Sequence, residues 1–330
     1  HLSIRRQRQM CIRDSFLPIL NLQKDIENID DEATELMGDD IISYLSELNI
    51  FLSLDDGLLE GWDLILRQLL FPIRGSIGQC KQLDPFIIEL LLRDSQYSIM
   101  QHVNFVGGNL AQYSYWGKLR NILSSFPQYN YHLWFAYTEL EQITGLYASD
   151  FFYDIIIVPC FIDDMEEVKD RIMHLSIRPE KVTLHVYMTS EEEYVASVFP
   201  DNYSVCIRPL YTGHNLDFFK KNVFLKEEDI LGSVIGMRKI FCNQKLNSTF
   251  FGVLNVYPDG SVRATNDTAV LGNLCQDDIK SIVYRELSAN TAWRQIRNST
   301  ICDACCYQYL CPPPGIYERI LERDNLCDLI

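Results

Sequence analysis

The chain has 330 residues, 47% apolar and 22% charged, with a formal charge of −16. That mix excludes a disordered chain, a coiled coil and a collagen, and roughly 150 residues per domain suggests about two domains. No apolar run reaches the roughly 18 residues of a membrane-spanning helix, and no basic patch stands out that would neutralise phosphates, so neither membrane nor nucleic acid is expected as a partner. Residues 1–15 carry four Arg and one Asp, a net +3 that leaves −19 for the rest. This stretch has no initiating Met and reads as translated sequencing-adapter read-through, so it is set apart from fold reasoning and the native N-terminus is expected to be missing.

From about residue 45, short apolar runs alternate with helical segments. The predicted strands are 48–54, 103–106, 131–137, 154–162, 182–188 and 204–210. The later ones start 22 to 28 residues apart, a spacing that suits repeated βα units. Residues 163–173 show a helix signature, with acidic residues first and apolar residues at helical spacing. A longer insertion, about 57–101, separates the first two strands. Six strands are too few for a closed eight-stranded barrel and fit a partial barrel or an open parallel α/β sheet.

After about residue 225 the pattern changes. Residues 250–257, then Pro258-Asp259-Gly260, then 261–264 predict a β-hairpin, because Asp-Gly is a strong turn signal. A helix is predicted over 277–288. The expected division is 16–230 and 231–330. His132 and His185, inside apolar strands, read as satisfied core or surface histidines. Tyr113, Tyr115 and Trp116 read as core packing. No phosphate-binding loop, H-E-x-x-H or G-x-S-x-G occurs.

The cysteines carry the chemistry. There are eleven, and five fall in the last 29 residues: Cys302, Cys305, Cys306, Cys311 and Cys327. No secretory signal is visible, so a reducing, cytoplasmic compartment is expected, where clustered thiols point to metal or iron–sulfur binding. Cys302, Cys305, Cys311 and Cys327 follow C-x2-C-x5-C-x15-C. Four thiolates can close one iron–sulfur cluster or one tetrahedral zinc site. Cys306 and Cys275 have no clear role. Trp293 and Arg297, just before the tail, are expected to pack on or bond to the surround of such a site.

The spacing of these four cysteines resembles the SPASM domain of radical SAM peptide maturases. Cys242, the hairpin around Pro258-Asp259-Gly260, and Leu271-Gly-Asn-Leu274 are similar to that family's order of motifs. The ending, Leu310-Cys-Pro-Pro-Pro-Gly315 and Asn325-Leu-Cys327, resembles the pseudo-radical-SAM proteins of Bacteroidales peptide-modification systems. The resemblance implies a partial (βα)6 barrel of the radical SAM type followed by a small cysteine-rich domain. In that domain Cys302, Cys305, Cys311 and Cys327 would hold an auxiliary 4Fe-4S cluster.

The departures from the family are informative. The family's C-x3-C-x2-C motif after the first strand is absent, since the equivalent stretch is Leu54-Asp-Asp-Gly-Leu-Leu-Glu60 and Cys80 stands alone. The family's Gly-Gly-Glu is here Gly107-Gly108-Asn109, which loses the carboxylate that meets S-adenosylmethionine. Arg263-Ala264-Thr265 and Gly315 occupy positions where two-cluster relatives have ligands. One 4Fe-4S cluster is therefore expected and S-adenosylmethionine is not. The implied role is a catalytically silent partner or substrate-presenting protein, working with an active radical SAM maturase and its precursor peptide. The alternatives are an enzyme with another activity on this fold and a zinc-stapled interaction module.

Overall fold

The structure, a computed structural model, describes residues 38–53, 68, 82–106, 110–143, 150–159, 162–191, 199–265, 268–289 and 292–328. Residues 1–15, 54–60 and 107–109, with Cys80, lie outside them. In chain order come β1 (Glu47–Phe51), α1 (Pro85–Asp94), β2 (His102–Val106), α2 (Trp116–Ser124), β3 (Asn130–Ala136) and α3 (Leu140–Ile143). Then follow β4 (Phe151–Ile157), α4 (Met165–Met173), β5 (Val182–Met188) and β6 (Ser204–Pro209). All six predicted strands are present. β4 begins earlier than expected and stops before Pro159, which has no N–H to continue a ladder.

Two of these helices start at an aspartate cap. Asp84 accepts from the Phe86 N–H at 2.9 Å, with Pro85 pre-set for the first turn. Asp164 accepts from the N–H groups of Glu166 and Glu167 at 2.9 and 3.2 Å, and Glu167 pairs one turn on with Arg171 at 2.6 Å.

β1 to β6 stand side by side in sequence order, every neighbouring pair parallel. The winding runs in one direction, without the reversal of a doubly wound sheet. Alternate residues point one way. Leu48, Ile50, Phe105, Leu133, Ile155 and Leu184 enter the main core, where Ile88 of α1, Leu119 of α2 and Ile172 of α4 meet them. The opposite face is different. It carries Asn49, Asn104, Asp154 and His185, all buried, and near the C-terminal ends of the strands an apolar cluster that includes Phe51, Val106, Ile156 and Tyr187.

The second part contains α5 (Leu216–Val223), α6 (Glu227–Leu231), α7 (Met237–Lys245), β7 (Val253–Val256), β8 (Ser261–Arg263) and β9 (Gly272–Asn273). α8 (Ile279–Ser288), α9 (Thr300–Asp303) and α10 (Ile316–Ile320) complete it. The predicted hairpin is β7–β8. β7 also lies parallel beside β1, with Leu48 opposite Leu254 and Ile50 opposite Val256, so the hairpin extends the main sheet. The result is one nine-stranded, mostly parallel sheet in the order β6-β5-β4-β3-β2-β1-β7-β8-β9.

Gly252 makes the junction possible. Its φ is +68°, and its carbonyl accepts from the N–H groups of Ser46 at 2.8 Å and Glu47 at 3.1 Å. A Cβ there would sit 2.1 Å from the Tyr44 carbonyl oxygen, so only glycine fits. α8 begins at the Asp278 cap, bonded to the Ser281 N–H at 2.8 Å, and packs Ile282 and Leu287 into the same core. No helix among the described residues is long and apolar enough to cross a membrane.

Candidate functional site

The cysteine tail is built from short turns, each closed by a local bond. Cys302 sits in α9, and the Cys305 N–H donates to the Cys302 carbonyl at 3.0 Å, folding the C-x2-C step into one turn. The Cys311 N–H donates to the Tyr307 carbonyl at 3.1 Å, which closes the next loop before Pro312-Pro313-Pro314. The three prolines hold the chain extended until α10, where the Glu318 carboxylate accepts from the Gly315 N–H at 2.9 Å. Cys327 arrives from elsewhere in space. It lies in a parallel bridge with Leu225, whose N–H donates to the Leu326 carbonyl at 2.8 Å.

These turns bring the four expected cysteines together. Cys302, Cys305, Cys311 and Cys327 line one cavity, with Arg297 and Leu225 also in its wall. All four are free thiols, and Cys302 is buried. Burial pushes the Cys311 thiol up to about 12. Arg297 opposes that rise, and the other three thiols reinforce it. Thiolates gathered in a poorly solvated hole repel one another, and a bound cation removes that penalty. The other described cysteines do not line this cavity. Cys306 and Cys275 are exposed, and Cys242, on α7, is buried with its thiol raised by burial. Among the described residues no three Cys, His, Asp or Glu side chains converge closely enough to hold one metal ion.

Arg297 organises the loops. Its Nε donates to the Pro312 carbonyl at 2.9 Å, Nη1 to the Asp324 carbonyl at 3.1 Å, and Nη2 to Glu318 Oε1 at 2.5 Å. One guanidinium therefore ties the Cys311 loop, the segment before Cys327 and α10 to a single point. The ion pair is buried, 4% and 3% exposed at the two side chains, so its charges are little screened. Gln308 donates to the Arg297 carbonyl. Trp293 takes a different place from the one expected. It is fully buried in the main core, its indole donating to the Glu286 carbonyl at 3.2 Å and its ring edge-on to Phe251.

Two asparagines that sequence reading missed support the tail, Asn243 on α7 and Asn247 just after that helix. Asn243 Nδ2 donates to the carbonyls of Tyr309 at 2.9 Å and Cys311 at 3.2 Å. Asn247 Nδ2 donates to Gln295 at 3.0 Å and Pro314 at 2.7 Å. Both are buried. Nothing in their local sequence marks them, because their partners lie some 50 to 70 residues away. The tail also docks on α5. Phe219, Val223, Phe224 and Leu326 form a small apolar cluster, and the Tyr317 hydroxyl donates to the Pro209 carbonyl at the end of β6, 2.7 Å away.

No family model and no curated protein matches the sequence. Solved structures of SuiB from Streptococcus suis are similar in shape. The form bound to S-adenosylmethionine has a TM-score of 0.49 and 10% identity over 93% of this chain and 82% of that one. The form bound to the precursor peptide SuiA has a TM-score of 0.48 and 10% identity over 97% of this chain and 84% of that one.

Proposed function

We propose that the chain is a catalytically silent radical SAM homologue that serves as partner or substrate-presenting protein in the maturation of a ribosomally made peptide. Its sheet is read as a partial barrel that acts as scaffold. Cys302, Cys305, Cys311 and Cys327 would hold one auxiliary 4Fe-4S cluster, a group that supplies structural cross-linking and, where accessible, one-electron chemistry. The donor set suits it. Four thiols surround a shared space without closing on a point. A cluster takes one thiolate per iron, whereas a lone zinc needs every sulfur at about 2.3 Å. Arg297 would offset part of the charge that the four thiolates bring.

The observation that carries the reading is a contrast within one sequence. The tail keeps four thiols around one cavity, while no C-x3-C-x2-C occurs anywhere in the 330 residues. Without that motif this chain lacks the three thiolates on which the resembled family builds its radical-generating cluster.

The test is iron and sulfide content after anaerobic reconstitution, together with S-adenosylmethionine cleavage and co-purification with a radical SAM maturase. About four iron and four sulfide per chain, lost in Cys311→Ser, with no cleavage and a stable or transient complex, is the expected result. About eight iron with cleavage would make the protein an enzyme and end the silent reading. One zinc and no sulfide would make it a metal-stapled interaction module.

A further inference from the structure

The step from Cys302 to Cys305 is one closed turn. The Cys305 N–H donates to the Cys302 carbonyl, three residues back, at 3.0 Å. A turn closed in this way keeps its first and fourth Cα atoms within about 7 Å of each other. A disulfide spans Cα atoms about 4.4 to 6.8 Å apart, provided the two side chains converge. That condition is met too, because both thiols line the same cavity.

The neighbouring cysteines are placed less well for such a bond. Cys306 is exposed and does not line the cavity. Cys311 and Cys327 line it, but their loops are tied down. Asn243 holds the Cys311 carbonyl at 3.2 Å and Arg297 the Pro312 carbonyl at 2.9 Å. On either side of Cys327, Leu326 and Asp328 both bond to the backbone of Leu225. The turn of Cys302 and Cys305 has more freedom to adjust. α9 is four residues long, its N-cap Ser299 makes no side-chain cap bond, and the Ser299 hydroxyl is buried without a partner among the described residues. Gln308 braces the turn from one side, donating to Asp303 Oδ1 at 2.9 Å.

The two thiols differ in access. Cys305 is half-buried, whereas Cys302 is 8% exposed. An oxidant from solution therefore meets Cys305 first, and Cys302 is poised behind it.

We propose that Cys302 and Cys305 form a redox gate on the tail. A low-molecular-weight disulfide such as oxidised glutathione converts them to a disulfide, and in that state the tail takes up no metal. The reaction balances. The Cys305 thiolate attacks one sulfur of the small disulfide, whose S–S bond breaks. A mixed disulfide forms on Cys305 and one small thiol leaves. Cys302 then attacks the Cys305 sulfur, the protein S–S bond forms, and the second small thiol leaves. Two protein thiols are oxidised, one small disulfide is reduced, and the two protein protons end on the two small thiols. Of the four cavity cysteines, only Cys311 and Cys327 then remain as donors. A cluster takes one thiolate per iron and a structural zinc takes four ligands, so two thiols hold neither. Reduction reopens the site. The consequence for metal rests on the metal reading of the tail, while the disulfide itself does not.

The test uses the full chain, metal-free and reduced. It is treated with oxidised glutathione, alkylated in denaturant and digested. Trypsin releases residues 298–319, with Cys302, Cys305, Cys306 and Cys311, apart from the peptide that carries Cys327. The expected peptide has lost two hydrogens, with Cys306 and Cys311 alkylated and Cys302 and Cys305 protected. Cleavage before Asp303 should leave its two halves joined. Cys302→Ser should trap a glutathione adduct on Cys305, Cys305→Ser should leave Cys302 unmodified, and Cys306→Ser should change nothing. The oxidised protein should take up neither zinc nor iron until dithiothreitol is added. Alkylation of both Cys302 and Cys305, or a link from either to another cysteine, would overturn the proposal, as would equal metal uptake by oxidised and reduced protein. Metal uptake by the reduced protein without any disulfide on oxidation would overturn the gate alone. The disulfide with no metal uptake even after reduction would overturn the gate together with the metal reading. If a variant does not fold, the peptide map of the unaltered protein still decides it.

Discussion

The nine-stranded sheet and the cysteine tail lie in one chain and are held by different physics. In the sheet, Leu48, Ile50, Phe105, Leu133 and Leu184 are wholly withdrawn from water, and every strand from β1 to β5 contributes to one continuous core. Such burial stabilises by about 25 cal/mol per Å² of apolar surface. Among the described residues the tail has only the small cluster around Phe219 and Leu326. Its turns are held mainly by polar side chains on backbone carbonyls, Arg297, Asn243 and Asn247 above all. The sheet can therefore fold on its apolar pattern, whereas the tail depends on a few point contacts. A segment with so little core of its own is where bound metal contributes most to folding.

Breaking each part should show that difference. The largest effect is expected for Phe105→Ala, which empties a fully buried site between strands and helices. It should cost about 3–5 kcal/mol, read as a lower urea midpoint for the whole chain. Loss confined to β2 would break the view of the sheet as one cooperative unit.

Arg297→Ala should rival it in local energy, about 3–5 kcal/mol, because it leaves the Glu318 carboxylate buried without its partner. Its signature is different. Amide exchange should rise over 297–328 while β1 to β5 keep their protection. Equal loss of protection in the sheet would mean that the two parts are one cooperative unit.

The smallest effect concerns the polar face and has a pH sign. The folded-state pKa of His185 lies below its unfolded value, so below about pH 6.5 the unfolded chain binds a proton that the native state refuses. Stability from this group is present above that pH and falls on acidification, by at most about 1.4 kcal/mol per pH unit, until the folded pKa is reached. His185→Gln should flatten that slope between pH 6.5 and 5 in thermal melts. An unchanged slope would mean that His185 is not held neutral.

Part of this was legible in local sequence. Short apolar, β-rich runs marked each of β1 to β6, because strand formation depends on near neighbours in the chain. Acidic residues followed by apolar residues at helical spacing announced α4, and Pro258-Asp259-Gly260 announced the hairpin. Cysteine density and spacing singled out Cys302, Cys305, Cys311 and Cys327, which do line one cavity. His132 and His185 were read as satisfied residues. They are hydrogen-bonded, but to a partner, Asp154, that no local pattern connects to them.

By itself, then, the sequence determined β1 to β6, the β7–β8 hairpin, the helices α4 and α8, and which thiols are gathered near the chain end, since these follow from short-range pattern and composition. Only the tertiary structure decided that β7 lies beside β1, that His102, His132, Asp154 and His185 share one row, and that Arg297 and Asn247 hold the tail. Those contacts join residues 15 to more than 200 positions apart. They arise from sheet register and loop closure, which depend on how all the strands pack together and leave no mark in any single window of residues.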